Sequence, residues 1–271
     1  MISTASNPTS PATIPDLRSR PLTPGWRGIG WVFWYSFVKL VTNPYSVGFA
    51  VLMPTFMYLM FGAGQAYSQQ WTVNSNVAAV VLVNMALYGT IMTTSSMGSV
   101  VALERTSGIS RLYAMTPLSS MGAILARIGA AMLTAAVVTG IVFTVGALTG
   151  ARMYAGAWVQ AALLIVALSA LPAAVGLACA FLVRSDGAFA LTSGITVVGS
   201  FAAGLFIPLN QMGSFWAAVA PWTPFYGMTN IVQLSSYGWA AFKWSWLLNY
   251  LAWTVLFALA AAWGNHRNTG R

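Results

Sequence analysis

Long apolar runs separated by short polar clusters dominate the chain, and within them the residues do not alternate as they would in the strands of a membrane β-barrel. Six runs reach or approach the roughly 20 residues that an α-helix needs to cross about 30 Å of hydrocarbon. They are Ser46 to Gly62, Val77 to Leu103, Ser120 to Leu148, Ala157 to Val183, Ala188 to Ile207 and Trp244 to Trp263. The pattern predicts an all-α integral membrane bundle of six transmembrane helices. An even number of spans puts both chain ends on one side.

Two further segments do not fit the spanning pattern. Trp26 to Thr42 would make a helix only about 25 Å long. It carries Trp26, Trp31, Trp34 and Tyr35, side chains that favour the headgroup level, and a polar stripe of Ser36, Lys39 and Asn43. It reads as an interfacial helix stopped by Pro44, with a true span as the alternative. Pro208 to Phe242 has no charge, many aromatics and the breakers Pro208, Pro221, Pro224, Gly213, Gly227 and Gly238. Too interrupted to span and too greasy to be freely solvated, it predicts an external re-entrant helical hairpin whose irregular backbone is covered by protein or faces water. Met1 to Pro24, rich in Ser, Thr and Pro, reads as a flexible cytoplasmic tail without the apolar core of a signal peptide. Residues 25–264 then form one six-span domain, and 265–271 a short C-terminal tail.

Composition excludes a water-soluble domain: 58% of residues are hydrophobic and 6% charged, against about 25% charged in soluble proteins. The net charge of +9 does not point to nucleic acid, because the basic residues stand at the ends of apolar runs. Arg18, Arg20, Arg27, Lys39, Arg105, Arg111, Arg127, Arg184, Arg267 and Arg271 fall on one side of the six-span arrangement, with only Arg152 and Lys243 on the other. That asymmetry places both termini in the cytoplasm of a multi-pass plasma (inner) membrane protein. Cys179, the single cysteine, lies within an apolar run, so disulfide frameworks and cysteine-rich metal sites are excluded.

The chemistry is equally restricted. No Asp, Glu, His or Lys falls in the middle of a predicted span: Asp16, Glu104 and Asp186 lie on the cytoplasmic side and His266 in the tail. Proton-coupled transport and intramembrane catalysis need ionisable groups at depth. Metal sites need clustered ligands and a nucleotide site needs a glycine-rich phosphate loop. None of these is present, so the expectation is a non-enzyme that binds no cofactor. Any uphill work would draw energy from another subunit through the cytoplasmic surface.

The stretch LERTSGISRLYAMTPLS, Leu103 to Ser119, lies on that surface. As a helix from Glu104 to Met115, stopped before Pro117, it puts Glu104, Gly108 and Arg111 on one face and Ile109, Leu112 and Tyr113 on the other. Glu104-Arg105, Gly108, Arg111-Leu112 and Thr116-Pro117-Leu118-Ser119 resemble the cytoplasmic segment between the second and third spans of type 2 ABC transporter permeases. Asn43-Pro44 with Val51 to Gly62 is similar to the family's first span, and Leu182 to Asp186 to the turn before its fifth. Phe206 to Leu209 through Pro221 to Pro224 is similar to its external hairpin. Thr106 and Ser107 stand where the family often has a second acid, which puts a paired-acid contact in doubt.

The resemblance, to drug, natural-product and polysaccharide export permeases, implies an exporter subunit working as a dimer with a second copy or close homologue. It also implies a separate ABC ATPase subunit, where ATP and Mg would reside, docking on Glu104, Arg105, Gly108, Arg111, Leu112 and the N-terminal helix. Uncharged walls suggest a hydrophobic or amphipathic cargo, either a drug-like natural product of the multidrug-efflux kind or a lipid-linked molecule. Asn84, Tyr88, Ser95 and Ser99 share a face of the second span and either line a substrate path or bond neighbouring helices and their own backbone. Phe215, Trp216, Trp222, Phe225 and Tyr226 either gate the outer exit or anchor the interface. Gly122, Ala126 and Ala130, with Gly176 and Ala180, predict close helix packing, and Pro172 predicts a kink. A non-transporting membrane scaffold is the competing reading.

Overall fold

Apolar runs without internal partners for their backbone polar groups must fold as helices in hydrocarbon, and the computed structural model has that form. It describes residues 26–107, 118–183 and 185–269; among them the only β pairings are isolated bridges, Trp71 with Asn76 and Ser75 with Met153. The helices are α1 (Ile29–Val41), α2 (Pro44–Tyr58, continued by a π-helical turn, Leu59–Ala63), α3 (Val77–Ser95), α4 (Met97–Thr106), α5 (Ser120–Leu148) and α6 (Ala155–Leu168). They continue with α7 (Ala170–Leu182), α8 (Ser185–Ala202), α9 (Ser214–Val219), α10 (Tyr226–Tyr237) and α11 (Trp244–Thr269).

Among the described residues four helical runs are long and apolar enough to cross a membrane: Val77–Glu104, Met121–Leu148, Ala155–Leu182 and Trp244–Asn265. The first and fifth predicted spans appear as shorter apolar helices, Gly48–Ala63 and Gly187–Ala202. Pro44 separates α1 from α2 and stands as the first residue of α2, where its missing N–H costs nothing. The residues expected to form a C-terminal tail continue α11 as far as Thr269, since no proline follows Trp263.

The second and fourth runs are each two helices. Ser96 interrupts the second, its hydroxyl donating to the Thr93 carbonyl at 2.6 Å. Ser169 interrupts the fourth, its hydroxyl donating to the Val166 carbonyl at 2.6 Å. Pro172 has no N–H for the Leu168 carbonyl, so the kink expected at the proline is set one turn earlier, and the Ala173 N–H resumes the ladder on the Ser169 carbonyl at 3.3 Å. Just beyond these breaks α4 and α7 cross with backbones in contact: a Cβ on Gly98 would collide with the Gly176 backbone, and one on Gly176 with the Ser95 carbonyl.

α3 is the hub, packed by α2, α5, α6, α7, α8 and α10, whereas α11 rests on α7 and α10 with most of its surface outward. Two apolar clusters result, one around Leu82, Leu87, Ile165 and Phe225, the other around Leu40, Met97, Leu177 and Phe181. The hydroxyls of Thr90, Thr93, Thr94, Thr134, Thr139, Thr192 and Thr196 are buried at the level between them. Most are bonded one turn back, as Thr93 to Gly89 and Thr134 to Ala130, or to each other, as Thr90 to Thr139 at 3.2 Å. They satisfy themselves in hydrocarbon without a ligand.

Gly98→Val and Gly176→Val are expected to cost about 3 kcal/mol or more, the upper end for overpacking, because backbone must move. Gly194→Ala, with open space at that position, is expected to be neutral. Thermal midpoints of the detergent-solubilised full chain check both expectations.

Candidate functional site: a buried carboxylate and the cleft beside it

Glu104 lies in the last turn of α4 with its side chain 3% exposed. A carboxylate taken from water costs several kcal/mol unless paired and hydrogen-bonded, and here each oxygen has a cation. Lys39 Nζ of α1 donates to Oε1 at 3.1 Å, and Arg127 of α5 donates to Oε2 at 2.8 Å. Arg127 is itself buried, and Lys39 is 29% exposed. Three helices that are distant in sequence therefore meet at one acid, which faces two cations.

α1 is shaped by this contact. Val32, Ser36 and Leu40 face the protein at four-residue spacing, Phe33 seats against Gly129 of α5, and Trp31, Trp34, Tyr35 and Val38 face outward. Ser36 and Lys39 of the predicted polar stripe thus turn inward and the aromatics outward, the reverse of a helix on a soluble protein. In apolar surroundings this is the stable choice, since the polar groups then have protein partners.

The sequence reading put Glu104 on one face of a surface helix with Gly108 and Arg111. In the structure it belongs to the end of the span and turns inward to neighbouring helices. Gly108, Arg111 and Leu112 lie outside the described residues, as do the side chains of Arg105 and Ser99. Lys39 and Arg127 were not singled out as site residues, although a signal existed. Arg127 stands seven residues beyond the start, Ser120, of an apolar run, and a cation there needs an acid, of which the whole chain has three.

One turn inward from Glu104 a cleft of about 410 Å³ opens between α2 (Phe49, Ala50), the α3–α4 junction (Met92, Ser95, Ser96, Val100) and α8 (Phe189, Thr192, Ser193, Thr196), closed below by Leu40 and Asn43. Its volume suits a drug-sized molecule. Among the described residues no charged side chain lines it, and its walls mix apolar groups with hydroxyls. Thr196 Oγ1 donates to Ser95 Oγ at 3.2 Å across the α8–α3 contact.

The four residues proposed for a substrate path separate. Ser95 lines the cleft. Asn84 lies outside it and accepts from Gln233 Nε2 of α10 at 3.1 Å, and the Tyr88 ring packs edge-on against Phe206 with centroids 4.7 Å apart. The aromatic residues proposed for a gate separate too. Phe215 and Trp216 join Phe201 and Phe206 in a chain of ring contacts, and Phe225 is fully buried under Gly199. Trp222 is 80% exposed and Tyr226 is half-buried against the core. Asn249 of α11 clamps the segment before α10, accepting from the Gly227 N–H at 3.0 Å and donating to the Pro221 carbonyl at 2.8 Å. Among the described residues no group of His, Cys, Asp and Glu could hold a metal ion.

The sequence profile described as ABC-2 family transporter protein matches residues 65–262. No curated protein matches the sequence.

Removing Glu104 takes away the carboxylate that Lys39 and Arg127 both contact, so Glu104→Leu is expected to destabilise the chain by about 3–5 kcal/mol. Lys39→Met should cost about 1 kcal/mol or less, being partly exposed, and Glu104→Leu combined with Arg127→Met should regain most of the loss. Thermal unfolding of the four proteins decides; a Glu104→Leu chain as stable as the parent would show that the cluster does not hold the helices.

Proposed function

The chain belongs to the ABC-2 family of transporter proteins, and from that premise we propose that it is the permease subunit of an ATP-driven exporter. Family membership makes it a multi-pass membrane transport component, and such permeases work with a partner ATPase. In the reading proposed here the two shorter apolar helices, α2 and α8, complete six spans, α1 lies in the cytoplasmic interface, and residues 208–242 form an external re-entrant hairpin. Both termini are cytoplasmic. Two permease copies, or a copy and a homologue, assemble with two ATPase subunits that bind ATP and Mg and dock on the Leu103 to Ser119 loop and α1. The cargo is a neutral amphipathic molecule leaving the cell.

The observation that carries this reading is the cleft, lined among the described residues by apolar and hydroxyl groups, one turn along α4 from the buried ion cluster. A push on the loop after Glu104 would bend it uselessly if its root were loose. Fastened to Lys39 and Arg127, the root transmits the push to α1, α4 and α5 as one block. The α4 wall of the cleft, Ser96 and Val100, then moves relative to α2 and α8, with the Gly98–Gly176 crossing as fulcrum. Rigid displacement of packed helices is an established way of coupling a partner's closure to a distant opening.

Narrowing the cleft with Thr196→Leu should lower ATP-dependent export of a neutral lipophilic dye from cells carrying both subunits by about tenfold, a loss of roughly 1.4 kcal/mol. Co-purification of the ATPase should be unaffected. A membrane scaffold without transport of its own would export no dye in either form, and that result would refute the proposal.

A further inference from the structure

The cleft has an outer end as well as an inner one. Building on the exporter reading, we infer that the ring contact between Tyr88 and Phe206 is the outer gate of the cleft, and that the outer end of α8 with α9 is its moving leaf.

Tyr88 lies one turn, about 6 Å, beyond Met92 on the same helix, and Met92 is part of the cleft wall. Phe206 follows α8, whose Thr192 and Thr196 form the opposite wall. The two walls thus meet twice: at the hydroxyl contact Thr196–Ser95 beside the cleft, and further out at Tyr88–Phe206, where the rings pack at 71° and 4.7 Å. Phe206 in turn touches Phe201, and Phe201 touches Trp216 of α9.

The two sides of the gate are held very differently. The α3 side is tied down along its outer half. Asn76 caps α3, accepting from the Ala79 and Arg152 N–H groups at 3.0 and 2.9 Å and donating to the Gly150 carbonyl at 2.9 Å. Asn74 bonds the Ser235 and Ser236 carbonyls, and Asn84 is joined to Gln233. α10 is in turn clamped to α11 by Asn249. On the other side α9 has no buried residue, and its links inward are rings: Phe215 on Trp216, Trp216 on Phe201 at 5.9 Å, Phe201 on Phe206 at 6.5 Å. The turn after α8 also buries Ala203 and Leu205 in the apolar core, and that packing, like the ring contacts, has no directional bond to break.

Gly204, at φ 80°, sets the turn that aims Phe206 back at α3. Gly199, lacking a side chain, lets the fully buried Phe225 ring pack directly on the α8 backbone. One turn beyond Thr196 on the same helix, the buried Ser200 hydroxyl has no hydrogen-bond partner. The closed arrangement leaves that hydroxyl unsatisfied; a displacement of α8 relative to α3 changes its surroundings. Opening parts Phe206 from Tyr88 and leaves the Asn84–Gln233 side in place.

The test uses the full chain with its ATPase in right-side-out vesicles, with the native cysteine removed by Cys179→Ala and a reporter introduced by Met92→Cys. A membrane-impermeant maleimide is added outside. Without ATP, Tyr88→Ala and Phe206→Ala should each raise the labelling rate about fivefold, the scale of one lost aromatic pair. The double variant should add little more, as for two halves of one contact. Tyr88→Phe, which keeps the ring, and Trp222→Ala, which removes an exposed ring outside the chain of contacts, should label as the parent does. Should either alanine variant misfold, Tyr88→Leu and Phe206→Leu replace it. Labelling at the parent rate in folded Tyr88 and Phe206 variants would overturn the gate. A parent whose labelling never responds to ATP would overturn the exporter reading instead, and the comparison without ATP would still decide the gate.

Discussion

Glu104 is held between Lys39 and Arg127, and the arrangement of the half of the molecule around it depends on that contact. With charge so scarce, one carboxylate balances cations from two other helices. Apolar packing alone would let α1 slide along α5, because dispersion has little direction and the surroundings are as apolar as the helix surface. The ion cluster fixes register: Lys39 must reach one particular oxygen, and Phe33 then meets Gly129. Its energetic worth lies less in net stability than in the cost of leaving any member unpaired in a low-dielectric site.

Above the cluster, positional constraint passes from charge to shape. The breaks at Ser96 and Ser169 let α4 and α7 lean across each other until glycine backbones touch. An intact second span would keep Ser96 and Val100 in line with Met92. The break offsets them and shapes the floor of the cleft. Hydroxyl groups could have made this level of the bundle a wet pathway, yet most are spent on carbonyls of their own helix. What remains for a ligand is the small set facing the gap between α2 and α8.

The half of the bundle remote from Glu104 is organised by neutral amides. Asn74, Asn76, Asn84, Gln233 and Asn249 each join segments distant in sequence. Amides suit this place because they carry donors and acceptors without the desolvation cost of charge. They secure α3, α10 and α11, and leave the α8–α9 corner to apolar and aromatic contacts. Hydrogen-bonded rigidity on one side and apolar and ring packing on the other give that end its asymmetry.

The sequence by itself determined the class and the helices. Runs of apolar residues of spanning length can only be helical in hydrocarbon, so α3 through α7 and α11 follow from composition and length, and Pro44 and Pro172 mark a boundary and a break because proline lacks an N–H. Family resemblance was legible in short ordered motifs, and the profile match over residues 65–262 agrees with it. Only the tertiary structure decided which polar residues meet. Glu104 could have faced a partner, Arg105 or its neighbours, and nothing local chooses among these. Likewise Asn84, Tyr88 and Ser95 share one face of α3, but that face runs past two environments, the cleft and the external segment. Periodicity fixes the direction of a side chain around its own helix axis; what stands opposite it is set by how the other helices cross, and that depends on contacts spread over the whole chain.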